Sequence, residues 1–316
     1  MAEIIIIGAG ITGLTTALTL QRAGYQTKII TKDYGINSAS GVSAALWKPY
    51  EANPPERVLK WARHAYGVFQ QEVMRPESGV LPIVAHNVLR KSFEKPFWHD
   101  VVEDGTLLKQ EGSENDNVLG LYRFKTFVSD MSYYLPYLQK QYIDDGGTIE
   151  LQQIKHIDEC FAQGLVVINC TGMGSKLLAD DKSMYPIRGV VLIASKTMNE
   201  NWSDTQDPAY MAYVIPRRDV MIMGGTHDDH DTRPEATQEE IDGIIKRCHA
   251  LCPQTKNAEI LGVKVGFRPM RPEIRLEAET LGGDKYIIHN YGHGGSGPTL
   301  SWGCAQEVLE LVRAKA

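Results

Sequence analysis

Long apolar runs are missing from this chain of 316 residues, and so are lysine-rich tracts. No run approaches the eighteen or so apolar residues that read as a membrane-spanning helix, so no such span is expected. A formal net charge of -6 gives the whole molecule no attraction to nucleic acid or to an anionic membrane surface. Neither is therefore an expected partner.

Cysteine is also scarce. The five cysteines are odd in number and show no paired CxxC spacing, which disfavours both a disulfide framework and a zinc or other metal site. They are expected to be buried small hydrophobes in a reduced compartment. The N-terminus lacks the basic leader of a signal peptide, and the C-terminal RAKA is not a peroxisomal SKL signal, so the expected location is the cytoplasm.

What the chain does contain begins with the run EIIIIGAG. The isoleucines Ile4 to Ile7 predict a strand buried on both faces, and Gly8, Gly10 and Gly13 follow it with the spacing G-x-G-x-x-G. A helix and a second strand, at Gln26 to Thr31, come next. Glycines at these positions allow a tight turn and let a diphosphate approach the helix N-terminus. The order strand, turn, helix, strand predicts dinucleotide binding.

The end of the second strand departs from the usual pattern. An acidic residue normally accepts the ribose hydroxyls there, but this chain reads Thr31-Lys32-Asp33. Lys32 could contact the 2′-phosphate of NADP or lie beside the adenosine of FAD, and Asp33 could serve one position late. The motif leaves nicotinamide and flavin cofactors open.

A second unusual stretch is GFRPMRPEIR, residues 266–275. Each proline fixes its own φ and keeps the preceding arginine out of the helical region, so Arg268 and Arg271 are expected on extended backbone. These arginines could pair with neighbouring glutamates or hold an anionic ligand, and the stretch alone leaves both interpretations open.

The remaining elements predict an α/β protein, α+β overall. Helices are predicted near 58–73, 131–142 and 300–312, and strands near 148–151, 165–168 and 286–288. The polar ends of these strands place ligand-binding residues at the start, middle and end of the chain. We therefore expect a discontinuous nucleotide-binding domain from 1–50, 145–195 and 276–316, with a substrate domain from 51–144 and 196–275.

Several blocks of the chain resemble the FAD-dependent D-amino acid oxidase and D-aspartate oxidase family. Besides GAGITG, they are SAALWKPY (43–50), VINCTG (167–172), IRG (187–189), AYVIPRRDVMIMGGT (212–226), GFRPMRPEIRLE (266–277) and HNYGHGGSGPTLSWG (289–303). The resemblance implies a Rossmann-type FAD-binding domain with an interleaved substrate domain on a large mixed, curved sheet. It also implies oxidation of a D-amino acid to an imino acid by hydride transfer from Cα to flavin N5, with O2 reduced to H2O2.

The resemblance assigns substrate contacts to particular residues. Arg275 matches the arginine that binds the α-carboxylate, Tyr213 matches a tyrosine that meets the same carboxylate, and the carbonyl of Gly295 would accept from the amine. Arg268 and Arg271 are then expected to be structural. A second tyrosine, on a lid, aligns with Ala209, and Tyr210 lies beside it.

The FAD contacts implied by the resemblance come from six parts of the chain. They are Gly8, Ala9, Gly10, Ile11, Thr12 and Gly13; Thr31, Lys32 and Asp33; Ser38, Ser40, Ser43, Ala44, Ala45 and Leu46; Thr171 and Gly172; Arg275; and Gly294, Gly295, Ser296, Gly297, Pro298 and Thr299.

The substrate side chain is predicted to meet Lys48, Tyr210, His227 and Ser296. D-Aspartate oxidases tend to carry an arginine where this chain has His227, which favours neutral D-amino acids. Lys48 supports the alternative, since it could bind an acidic side chain, although it could also be a surface lysine. A glycine or sarcosine oxidase and a non-enzymatic flavin-binding protein remain as further alternatives. Relatives are often dimers, but the sequence leaves the oligomeric state open.

Overall fold

A computed structural model describes residues 3–35, 38–109 and 117–315. Its α-helices in these ranges are α1 (Ile11–Arg22), α2 (Ala39–Val42), α3 (Pro55–Glu72), α4 (Met131–Asp144), α5 (Ser175–Leu178), α6 (Gln238–Leu251) and α7 (Gly297–Lys315). Its β-strands are β1 (Ile4–Ala9), β2 (Thr27–Tyr34), β3 (Val80–Leu89), β4 (Glu103–Lys109), β5 (Gly120–Ser129), β6 (Thr148–Leu151), β7 (Val166–Asn169), β8 (Tyr185–Ser195), β9 (Asn201–Asp204), β10 (Ala212–Pro216), β11 (Val220–Gly224), β12 (Asp228–Asp229), β13 (Ile260–Gly282) and β14 (Lys285–His293).

The strands form one mixed sheet, in the order β4-β5-β3-β9-β10-β11-β8-β13-β14-β7-β1-β2-β6, with β12 paired to β8. One end is parallel, because β14, β7, β1, β2 and β6 run in the same direction. The long strand β13 joins the two ends: residues 260–270 pair with β8 and residues 275–282 pair with β14. The predicted α/β class with a large mixed sheet is confirmed.

The parallel end is built as the sequence predicts. The isoleucines of β1 are at most 3% exposed, because helices cover both faces of a parallel sheet. Helix α1 ends at Arg22, and Gly24 follows with a positive φ that closes the turn into β2. Helices α1 and α7 pack together on one face, so the beginning and the end of the chain share one core.

The predicted domain boundaries stay a prediction, although several elements cross them. Helix α3 packs on α7 and α4 packs on α1, so both helices lie with the parallel end. Strand β8 pairs with β11 and β13 in the antiparallel end. The five cysteines are unpaired and buried, as predicted. Among the described residues, no helix has both the length and the apolar character needed to cross a membrane.

Candidate functional site

A cleft of about 860 Å³ runs between the two ends of the sheet. One wall is formed by the carboxyl ends of β1, β2 and β7, which is where open parallel sheets place ligands. The other wall comes from β10 and from the middle of β13. A cavity of this size is in the range of cofactor sites, which run from about 300 to 1,000 Å³.

The glycine-rich turn at the β1 wall leaves no room for side chains. Gly8 has φ +106°, and a Cβ there would lie 2.6 Å from the Cys170 carbonyl oxygen. A Cβ on Gly13 would lie 1.9 Å from the Gly8 carbonyl oxygen, so α1 can approach β1 only with glycine at this position. Gly8 and Gly10 therefore present bare backbone to the cleft.

Two helices begin at the cleft. Helix α1 begins after Gly10 without a side-chain cap, and its first amide, that of Ile11, donates to Ser40 Oγ at 3.0 Å. Helix α7 begins at Gly297, which also lines the cleft together with Pro298. Helix N-termini carry a partial positive charge and unpaired amides, so this wall suits an anionic ligand such as a diphosphate.

Tyr213 and Arg268 lie together on the opposite wall of the cleft. The Arg268 guanidinium donates to the Thr226 carbonyl at 3.3 and 3.4 Å, and it lies close enough to the Tyr213 side chain to lower the pKa of the phenol. Glycines make space for both: a Cβ on Gly189 would lie 2.7 Å from the guanidinium, and one on Gly224 would lie 2.2 Å from the Tyr213 ring. The backbone is thus shaped around these two side chains.

The protonation states in the cleft follow from burial. Burial raises the pKa of the Tyr213 phenol, against the opposing effect of the Arg268 guanidinium, so Tyr213 keeps its proton and can donate a hydrogen bond. Burial also lowers the pKa of His293 to about 4, so its imidazole is neutral at neutral pH and a weak proton acceptor. Around Tyr213 and Arg268, the cleft wall therefore offers hydrogen-bond donors and a fixed cation.

The three arginines of the 266–275 stretch have different partners. Arg271 pairs with Asp181 at 2.9 Å. Arg275 pairs with Glu277 at 2.6 Å and Glu279 at 3.2 Å, and its hydrogen bond lowers the pKa of Glu277. Arg268 has no carboxylate partner within the part of the chain that the structure describes.

Arg275 was expected to bind the substrate carboxylate and to contact FAD. The observed arrangement does not agree with either role. The Arg275 side chain does not line the cleft, and its charge is already paired. The physical reason is the two-residue period of a strand, which puts Arg268 and Arg271 on opposite faces of β13. The strand register shifts between Met270 and Arg275. Arg275 nevertheless lies with Arg271 and its partner Asp181, because Arg275 donates to the Tyr291 hydroxyl and that hydroxyl donates to Asp181.

Most of the other predicted residues line the cleft. They are Gly8, Ala9, Gly10, Ile11, Thr12, Thr31, Lys32, Asp33, Ser38, Ser40, Ser43, Ala44, Ala45, Leu46, Lys48, Thr171, Gly172, Tyr213, His227, Gly294, Gly295, Gly297 and Pro298.

Four further predicted residues do not line it. Gly13 lies behind the glycine turn, where it sets the packing of α1 on β1. Tyr210 is 39% exposed and stacks under the Arg90 guanidinium, 3.6 Å from its ring centroid. Ser296 and Thr299 are buried, and their hydroxyls bond to the backbone of Tyr50 and of Lys48 respectively. These two residues position the cleft wall from behind.

Sequence reasoning did not assign Arg268, Tyr50, the strand residues Ser203 and Ile215, or Thr205, which follows β9, although all five line the cleft. One signal was available for Arg268. The glycines of IRG and GGT, Gly189 and Gly224, mark places where a large side chain from another strand needs space. The strand pairing that brings Gly189 beside β13 is not readable from the sequence.

The chain matches the family model described as FAD dependent oxidoreductase over residues 3–311. It is 36% identical to a D-amino-acid oxidase of Rubrobacter xylanophilus over 99% of this chain and 97% of that protein. It is 37% identical to a D-amino-acid oxidase of Dictyostelium discoideum over 98% of this chain and 91% of that protein. Its fold is similar to that of a glycine oxidase from Bacillus cereus, with a TM-score of 0.81 and 19% identity over 100% of this chain and 96% of that chain.

Proposed function

This chain belongs to the family of FAD-dependent oxidoreductases, and on that premise we propose that it is a D-amino acid oxidase. The reaction converts a D-amino acid and O2 into an imino acid and H2O2, and water then releases the 2-oxo acid and ammonia. The carrying observation is Arg268, a cation without a carboxylate partner among the described residues, which faces the cleft beside Tyr213.

The residues present fit FAD. The bare backbone of Gly8 and Gly10, at the N-terminus of α1, suits the diphosphate. The same wall continues through Thr31, Lys32 and Asp33, which would lie beside the adenosine of FAD. It also continues through the stretches 38–46 and 294–298 toward β10 and β13. When bound, FAD supplies the acceptor for the two electrons and the hydrogen that leave the substrate Cα, and O2 reoxidises it.

Arg268 and Tyr213 would hold the α-carboxylate of the substrate. A guanidinium can donate two parallel hydrogen bonds to a carboxylate, which fixes orientation as well as charge, and the Tyr213 hydroxyl adds a third donor. Gly295 lies close by, since a Cβ there would be 2.9 Å from the Tyr50 ring and 3.7 Å from Arg268 Cδ. Its carbonyl is the proposed acceptor for the amine. The rate is then expected to come from the orientation of Cα by these groups.

The decisive experiment uses the visible spectrum of the purified protein. We expect flavin bands that are bleached without oxygen by a D-amino acid and not by its L-enantiomer, and that return with H2O2 release when oxygen is admitted. Bleaching by glycine or sarcosine alone would favour the glycine-oxidase alternative. A flavin spectrum that no amino acid bleaches would favour a non-enzymatic flavin-binding protein.

Tyr213→Phe tests the phenol. Loss of one hydrogen bond to a charged group costs about 1.5–3 kcal/mol, so KM for every D-amino acid should rise roughly tenfold or more while kcat changes less. Tyr133→Phe is the matched control, because that exposed phenol bonds to Asp219 away from the cleft. Steady-state kinetics normalised to bound flavin measure both. Equal KM values in the two variants would remove Tyr213 from the site.

Cytoplasmic location and a possible dimer stay predictions from the sequence and its resemblance. Within the described ranges, no group of three or more metal-ligating side chains could hold a metal ion.

A further inference from the structure

Lys48 lies on the cleft wall at a position that its backbone fixes. Its amide donates to Thr299 Oγ1 at 3.2 Å, and the same hydroxyl lies 3.3 Å from the Lys48 carbonyl. Thr299 is buried at the beginning of α7, and Leu46 bridges to Val128 of β5 two residues before Lys48. The lysine side chain therefore starts from a rigid point rather than from a mobile loop.

The ammonium group of Lys48 lacks a charged partner. Nζ lies 3.5 Å from Asn87 Oδ1, at the limit of hydrogen bonding, and no carboxylate pairs with it within residues 3–35, 38–109 and 117–315. Other lysines of this chain do pair with carboxylates, among them Lys28 with Glu150 and Lys125 with Asp104. Burial lowers the pKa of Lys48 to about 8. A partly buried cation without a counter-charge suits a ligand that brings one.

The strand register gives the spacing between Asn87, which Lys48 contacts, and Tyr213. Asn87 pairs with Ser203, and Ser203 pairs with Tyr213, so the three residues form one row on the same face of β3, β9 and β10. Neighbouring strands are about 4.8 Å apart, which puts Asn87 and Tyr213 roughly 10 Å apart across the sheet. Lys48 reaches the Asn87 end of this row, and Arg268 lies at the Tyr213 end.

A dicarboxylic amino acid matches this spacing. The carboxylate carbons of aspartate and glutamate are about 4–5 Å apart in extended chains. A charge-assisted hydrogen bond of about 2.8 Å at each end brings the total to roughly 10 Å. Ser203 and Thr205 also line the cleft and add hydroxyl groups to it.

We propose that Lys48 binds the side-chain carboxylate of the substrate, so that acidic D-amino acids, D-glutamate and D-aspartate, are preferred. This inference rests on the proposed oxidase activity and names its substrate class. It reverses the preference for neutral substrates that His227 suggested in the sequence. His227 already contacts Tyr50 at 3.2 Å, Asp229 at 3.4 Å and Glu51 at 3.7 Å. The presence of histidine at position 227 therefore does not decide which substrate charge the pocket accepts.

The test compares each acidic substrate with its amide of nearly the same shape. Wild-type kcat/KM should be at least about tenfold higher for D-glutamate than for D-glutamine, or for D-aspartate than for D-asparagine, because a hydrogen bond to a charged group is worth about 1.5–3 kcal/mol. Lys48→Met keeps the length of the side chain and removes its charge. It should bring both acid-to-amide ratios close to one.

Lys256→Met is the matched control, since Lys256 is exposed and does not line the cleft. It should leave the acid-to-amide ratios at their wild-type values. Flavin content and thermal unfolding of each variant confirm that it folds. Ratios near one in the wild type, or high ratios that survive Lys48→Met, would overturn the role of Lys48. If the wild type oxidises no D-amino acid at all, the proposed function itself fails, which is a different outcome.

The same ratios should depend on pH. The Lys48 ammonium is charged below about pH 8 and neutral above it, so the acid-to-amide ratio should fall as pH rises through about 8. Other titratable groups that line the cleft around the proposed substrate are Tyr50, Tyr213, Arg268, His227 and His293, and burial raises the pKa of both tyrosines. A ratio that is constant from pH 6 to about 9.5, more than one unit either side of the Lys48 pKa, would contradict the proposal.

Discussion

Arg268→Ala should lower kcat/KM for every D-amino acid by about 10²- to 10⁴-fold, through KM more than through flavin binding. Truncating one partner of a desolvated, hydrogen-bonded charge pair costs about 3–5 kcal/mol, and Arg268 is the cation that faces the cleft beside Tyr213. Arg268→Lys keeps the charge but loses the planar pair of donors, so it should recover only part of the loss. Steady-state kinetics per bound flavin give the comparison.

Arg275→Ala is the natural control for this prediction, because Arg275 lies only seven residues away on the same strand. Its carboxylate partners Glu277 and Glu279 lie outside the cleft lining. Its third partner, Tyr291, lines the cleft, and the Tyr291 hydroxyl also bonds to Asp181. Its removal can lower stability but should change KM by no more than about two- to threefold. A larger rise in KM for Arg275→Ala than for Arg268→Ala would restore the assignment that the sequence suggested.

Gly13→Ala should lower flavin occupancy at least tenfold and reduce activity in proportion. The added Cβ would meet the Gly8 carbonyl oxygen at 1.9 Å, and the backbones of Gly8 and Gly13 are held in place by β1 and α1. Forcing a methyl group into such a site costs about 1–3 kcal/mol and moves the helix N-terminus away from the turn. Absorbance of bound flavin per polypeptide, with thermal unfolding beside it, measures the effect.

Gly67→Ala provides the opposite case within a helix. Gly67 lies in α3, and a Cβ there would meet nothing within 4 Å. Alanine in a helix interior is about 0.5–1 kcal/mol more favourable than glycine, so this variant should bind flavin normally and unfold at a slightly higher temperature. If Gly67→Ala lost flavin as Gly13→Ala does, the close approach of α1 to β1 would not be the cause of the flavin loss in Gly13→Ala.

The local patterns of this chain predicted its elements well. Four consecutive isoleucines and three spaced glycines produce β1, the tight turn and α1, because burial, turn geometry and helix entry all depend on neighbouring residues. Proline after Arg268 and Arg271 likewise predicted extended backbone, which is the long strand β13. Each of these inferences needs only a few consecutive positions.

The site itself depended on contacts between distant segments. Arg268 faces the cleft because β13 pairs with β8, which places Gly189 against its guanidinium. Lys48 contacts Asn87, and the Ser296 hydroxyl bonds to the backbone of Tyr50. These contacts join segments that lie dozens to hundreds of residues apart in the chain. Resemblance pointed to Arg275 within this stretch, whereas the structure places Arg268, and not Arg275, in the cleft lining.

The amino-acid sequence by itself determined the nucleotide-binding turn, the kinds and order of most elements, and the presence of stiffened cations near residue 270. Only the tertiary structure decided which cation is paired and which faces the cleft. The physical reason is that a strand alternates its side chains between two faces, while the identity of each face depends on the register of its neighbours across the sheet.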